Sequence, residues 1–163
     1  MVGAVAATGL LLAGSPGWPL PPVLEVTRAD SDQLLLCAEM APGEEFVLSF
    51  LHSVNRRPVF ETLRVAEDHL VIVGARFDSL GAGMPEASNE EGTLRWTDDG
   101  WLEWTVNRPV PEVVVRVGRV ANHTLALKGR AIPLASLAEP GTPLAFRVAL
   151  RTIHSDWKGR CLR

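Results

Sequence analysis

Two side chains are candidates for chemistry because they interrupt rows that are otherwise apolar. The even positions from Phe46 to Val54 are Phe46, Leu48, Phe50, His52 and Val54, and the odd positions from Val59 to Val65 are Val59, Glu61, Leu63 and Val65. An imidazole and a carboxylate on one dry face perturb each other's pKa and could act as an acid–base pair or as part of a ligand site. The same two groups could equally serve as a structural pair that fixes strand register and satisfies buried polar atoms. Common catalytic constellations are missing: there is no Gly-x-Ser-x-Gly, no His-Glu-x-x-His and no Cys-x-x-Cys. His52, His69, His123 and His154 do not have metal-ligand spacing. Ser53 follows His52 directly, and in a strand adjacent side chains point to opposite faces, so the two cannot be nucleophile and base of one triad. The second His-Ser, at His154-Ser155, lies in a basic tail and reads as coincidence.

A β-hairpin is the element that would position these groups. The two rows each follow the strand period of two, and Asn55-Arg56-Arg57-Pro58 between them has turn composition. A four-residue turn sets Val54 opposite Val59, His52 opposite Glu61, Phe50 opposite Leu63 and Leu48 opposite Val65. Opposed residues have Cβ atoms roughly 4.5–5.5 Å apart, which is hydrogen-bonding reach for an imidazole and a carboxylate. Slipping this pairing by one residue would turn every apolar side chain to the wrong face. At the turn itself Asn55, Arg56 and Arg57 could hold an anion, although such tips are commonly just solvated.

A long loop follows. Ser79 to Gly92 spans fourteen residues without periodicity, and loops of this length in compact domains often carry function. Gly81 and Gly83 allow sharp bends or close approach to a ligand, and Met84-Pro85 could cap one end of the fold. The loop is not a phosphate cradle, since no Lys followed by Ser or Thr succeeds the glycines and no helical pattern comes next. Glu86, Glu90 and Glu91 do not show the alternating oxygen ligands of a calcium loop.

These stretches also carry a resemblance. His52-Ser53-Val54, then Glu61, then Phe77-x-Ser79-x-Gly81-Ala82-Gly83-Met84-Pro85 resembles the family called domain of unknown function 1850. The likeness covers most of the chain after residue 22, with its specific words between residues 50 and 86. Family members commonly carry an acid after His-Ser-Val, where this chain has Asn55. The resemblance implies a small exported bacterial protein, often encoded beside TRAP-type transporters that use TAXI-type solute receptors. It brings no established catalytic residues with it. Implied partners are the transporter's membrane subunits or its solute receptor.

Composition sets the outer bounds. A chain of 163 residues is most simply one domain, large enough to bury roughly two-thirds of its unfolded surface. Net charge is −3, and the dispersed arginines form no basic stripe of the kind nucleic acid requires. Residues 1–15 read as an export signal or anchor, being apolar and too short for an ordinary transmembrane helix, though without a basic start. A buried N-terminal helix is the alternative. Residues 16–22 form a proline-rich linker and residues 152–163 a basic tail. The expected location is therefore periplasmic or otherwise extracytoplasmic. In an oxidising compartment Cys37 and Cys161 could form a disulfide tying down that tail, although sequence does not supply the Cα separation this needs.

Residues 23–151 read as strand after strand. Thr93–Thr97 and Trp101–Thr105 form a second hairpin around Asp98-Asp99-Gly100, with Leu94 facing Trp104, Arg95 facing Glu103 and Trp96 facing Leu102. Glu112–Val117 is expected to meet Thr124–Leu127 across a turn near Asn122, and Ala131–Leu137 could be a strand or a helical turn. About nine short strands with turns every 8–12 residues or so predict an all-β fold, an antiparallel β-sandwich with a barrel as the alternative. Two functional readings follow. One is a non-enzymatic binding or accessory module without cofactor. Its candidate residues are His52, Ser53, Asn55 and Glu61 from the hairpin. Phe77, Ser79, Gly81, Gly83, Met84, Pro85 and Glu86 come from the loop. The other is a hydrolase-like or metal-assisted enzyme that uses His52 and Glu61.

Overall fold

A computed structural model of the chain describes residues 21–150 together with 161 and 162. The expected export segment, most of the linker and most of the tail lie outside the described residues. Eleven strands account for the described chain: β1 Val23–Arg28, β2 Leu34–Glu39, β3 Glu45–Leu51, β4 Pro58–Val65, β5 Leu70–Phe77, β6 Gly92–Trp96, β7 Leu102–Val110, β8 Glu112–Arg116, β9 Thr124–Leu127, β10 Arg130–Pro133 and β11 Pro143–Ala149. They form two antiparallel sheets, a four-stranded one in the order β2-β1-β11-β8 and a seven-stranded one in the order β10-β9-β3-β4-β5-β7-β6. The architecture is the sandwich that the alternating pattern predicts, with two more strands than expected. Ala131–Leu137 divides between both expected forms: β10 ends at Pro133 and one 3-10 turn follows at Leu134–Ser136.

The described chain crosses between sheets four times, and the crossing from β7 to β8 has a local cause. Pro111 separates β7 in the large sheet from β8 in the small one, and a proline that cannot donate to a ladder is a natural place to leave it. The segment from Val117 to His123 then returns to the large sheet. As a result β8 pairs with β11 and β9 with β3, so the expected hairpin between Glu112–Val117 and Thr124–Leu127 does not form. Alternation along each strand is the same whichever sheet receives it, which is why the pattern could not show the switch.

The two sheets meet through one core. Leu24 and Val26 of β1 with Leu144 and Phe146 of β11 face Phe46, Leu63 and Leu125 of the large sheet, all buried. The Phe46 and Phe146 rings stack across the interface with centroids 6.4 Å apart. Glu25 and Arg147 are direct cross-strand partners on β1 and β11, and Arg147 Nε donates to Glu25 at 3.0 Å. At the free edge of β2 the chain end is fastened: Leu162 forms a parallel bridge with Ala38, and Cys161 is disulfide-bonded to Cys37.

Seven strands are wider than four, so part of the large sheet extends past the small one. There a second cluster forms, from Val59, Phe77 and Leu102 with Phe50, Met84 and Trp104 around them. It contains no residue of β1, β2, β8 or β11. Its cover is the loop between β5 and β6. The functional question lies in that uncovered half.

Candidate functional site

The β3–β4 hairpin is not in the expected register. Phe46 faces Leu63, Leu48 faces Glu61 and Phe50 faces Val59, a displacement of four residues from the expected pairing. His52 is therefore not opposite Glu61. An even displacement leaves every side chain on its own face, so the apolar alternation fits either register equally well. The loop decides between them. It runs from His52 to Arg57, longer than a four-residue turn, and bonds within it, from both backbone and side chains, satisfy its backbone. His52 N–H donates to Arg57 O at 2.9 Å, Arg56 N–H to His52 O at 3.0 Å, and Arg57 N–H to Asn55 Oδ1 at 3.0 Å. Arg56 takes a left-handed φ of 56°, which lets the chain reverse.

This loop grips the glycine loop. His52 uses both ring nitrogens: Nδ1 accepts from Val54 N–H at 3.3 Å, and Nε2–H donates to Ala82 O at 3.1 Å. Asn55 Nδ2 donates to Leu80 O at 3.2 Å. Arg57 donates Nε–H to Asp78 at 3.0 Å and Nη2–H to its other carboxylate oxygen, which holds the Asp78 carboxyl below its usual range. A side chain at Gly81 would begin 2.8 Å from Asn55 Nδ2 and 3.3 Å from the His52 ring, so only glycine lets the two loops close this tightly. Gly83 has a φ of +80°, where glycine alone is unstrained, and Met84 N–H closes the turn onto Gly81 O. Part of the motif that carries the family resemblance, His52 with the Ser79–Gly83 stretch, thus belongs to a clasp between two loops. They form a lid.

Under the lid lies a cavity of ≈ 820 Å³, partly open to solvent. Phe50, Val59, Phe77 and Trp104 give it an apolar floor, Gly83, Met84 and Pro85 lean over it from the lid, and His52 and Ser53 stand at one side. A β-bulge shapes that floor. Ile72 pairs with Arg108 while Gly74 pairs with Thr105, so β5 changes the face it presents partway along. The small residues Gly74 and Ala75 then come between β4 and β7, leaving a depression where larger side chains would fill the space.

Glu61 faces this depression. Burial pushes its carboxyl pKa up, and the Arg108 guanidinium opposes that shift in part. Among the described residues the side chains of Glu61 and Arg108 have no hydrogen bond and no salt bridge, to each other or to any other group. His123 forms part of the wall, its ring tilted against Phe50 at 5.6 Å. Its Nδ1 accepts from Gly118 N–H at 3.1 Å, which places the proton of the neutral ring on Nε2, and burial pushes its pKa down.

The expected site residues thus sort into three places. His52, Ser53, Glu61, Phe77, Gly83, Met84 and Pro85 line the cavity. Asn55, Ser79 and Gly81 belong to the clasp, Ser79 by accepting weakly from Asn55 at 3.5 Å. Glu86 lies apart, along a shallow groove with Leu80, Leu94 and Trp96. Arg108, His123, Glu91 and Trp104 complete the cavity and were not among the expected residues. The second hairpin has its expected register, with Leu94 facing Trp104, and this is the local signal that turns Trp104 toward the floor. Among the described residues no three His, Cys, Asp or Glu side chains are grouped to hold a metal, and no helix is long and apolar enough to cross a membrane.

Comparison with curated proteins and with solved structures gives no match. The family described as Domain of unknown function (DUF1850) matches residues 46–134, more than half of the chain, from the start of the clasped hairpin through the His123 wall. The chain belongs to that family.

Proposed function

We propose that this chain is an exported, non-enzymatic binding module that holds a small solute in the lidded cavity. In this reading it serves a TRAP-type transporter of the TAXI class as an accessory, meeting its solute receptor or its membrane subunits. The observation that carries the binding part is the cavity: an apolar floor with few polar groups under a clasped lid is the usual form of a small-molecule site, and its volume is within the usual range of about 300–1,000 Å³. The expected leader and the Cys37–Cys161 disulfide support an extracytoplasmic location, where such bonds persist. The transporter association rests on the family resemblance. What supports a binding role over an enzyme built on His52 and Glu61 is that His52 spends both ring nitrogens on backbone atoms of the clasp and does not stand opposite Glu61.

Two measurements test this reading. A solvatochromic anilinonaphthalene dye should bind the folded chain at one site, and Trp104→Phe together with Met84→Ala should weaken it several-fold; absence of any saturable binding overturns the solute site. Co-purification with the receptor and membrane subunits, with and without added solute, tests the accessory role, which falls if no condition retains them.

A further inference from the structure

Of the three charged side chains that line the cavity, Glu61, Glu91 and Arg108, the two on strands of its floor define what would complete it. Glu61 lies on β4 and Arg108 on β7, with β5 between them, so their strands run about 10 Å apart. Along β5, Ala75 is level with Glu61 and Ile72 with Arg108, and the small Gly74 and Ala75 keep the floor low between those two levels. An acceptor-only carboxylate and a donor-only guanidinium therefore border one depression, and neither neutralises the other through a direct bond. Beside them Phe50, Val59, Phe77 and Trp104 offer apolar surface.

Resting on the reading of this cavity as a solute site, we infer that its ligand is a small zwitterion of the α-amino-acid type with an apolar or aromatic side chain: its ammonium pairs with Glu61, its carboxylate with Arg108, and its side chain lies on the aromatic floor beneath the lid. Other charge types fit less well. An amine alone would satisfy Glu61 but face Arg108. A carboxylate alone would satisfy Arg108 but face Glu61, with Glu91 adding negative charge to the lining. A neutral ligand would strip water from both groups and give nothing back, which leaves a cost for each unpaired polar group. His123 strengthens the carboxylate side: with Nδ1 held by Gly118 N–H, its Nε2–H is a donor without a partner among the described residues. His52 contributes shape only, since its ring is committed to the clasp.

The test uses calorimetric titration of the whole chain with four probes that share a phenyl ring: L-phenylalanine, 2-phenylethylamine, 3-phenylpropionate and 3-phenylpropan-1-ol. L-phenylalanine should bind about ten-fold or more tightly than any of the others, since each charge-assisted hydrogen bond it alone completes is worth roughly that factor. Glu61→Gln should bring L-phenylalanine down toward 3-phenylpropionate while leaving the propionate no weaker. Arg108→Gln should bring it down toward 2-phenylethylamine while leaving the amine no weaker. Thermal melts of each variant confirm folding, and the comparison of probes on the unmodified chain needs no variant. If the amine, the acid or the alcohol binds as well as the zwitterion, the inference is overturned and the solute site stands. If none of the four binds, the inference is overturned, and the dye titration decides separately whether the solute site stands.

Discussion

Glu61 is the residue at which stability and function pull apart. Its carboxyl pKa is raised by burial, so the folded state prefers the protonated form. A raised carboxyl contributes its stability below its unfolded value, and that contribution is lost as pH rises through the folded value. At pH 7, above the unfolded value, keeping this carboxyl in the empty cavity therefore costs stability. Glu61→Gln, which keeps the shape and removes the charge, should raise the melting midpoint at pH 7, and the difference from the unmodified chain should narrow toward pH 4. A midpoint that falls at pH 7 would mean the carboxylate holds structure together. Glu61 was legible in the sequence because it is the one acid in an apolar row. Arg108 was not: the expected strand stops at Thr105, and Asn107-Arg108-Pro109 has turn composition. The strand continues to Val110 because β6 ends its pairing at Val106, so Pro109 sits on a stretch of β7 that has become an edge, where proline is admitted.

At the scale of elements, the glycine loop and the hairpin loop behave as one unit. Asn55 is the hinge pin, donating to Leu80 O and accepting from Arg57 N–H. Asn55→Ala should cost about 1–2 kcal/mol in denaturant unfolding. It should also speed amide exchange across residues 79–85 while leaving β1, β3 and β11 protected. Equal protection of the lid in the variant would show that the clasp is held elsewhere. Both loops were visible in the sequence as the places where periodicity stops. Their contact was not, because neither loop's composition encodes a partner thirty residues away. The hairpin register escaped for the opposite reason. Alternation repeats every two residues, so it excludes odd slips and admits even ones, and the choice depends on side-chain bonds inside the loop.

At the scale of the whole molecule, the last described residues are held by chemistry as much as by packing. Cys37 is buried on β2 and bonded to Cys161 across a sequence separation of 124. Loops this long gain the most from closure, so reduction, or Cys37→Ala with Cys161→Ala, should lower stability by about 2–5 kcal/mol. Dye binding in the cavity, on the far half of the large sheet, should survive at temperatures where the chain stays folded. Loss of dye binding without unfolding would tie the tail to the site. The sandwich class was legible from strand length and turn spacing alone. Which strands share a sheet was not, because β8 and β9 look like neighbours and belong to opposite layers.

The pairing of β1 with β11 has a bearing on biosynthesis. The small sheet is centred on one strand from near the start of the described chain and one from near its end, with Val23 beside Ala149. Ribosomal synthesis delivers the second of these some hundred residues after the first, so half of the hydrophobic interior has no lining until then. Topologies dominated by such distant pairings fold slowly. A polypeptide built on this pairing leaves its small sheet open until its last strand arrives, and only then can the two layers close on each other.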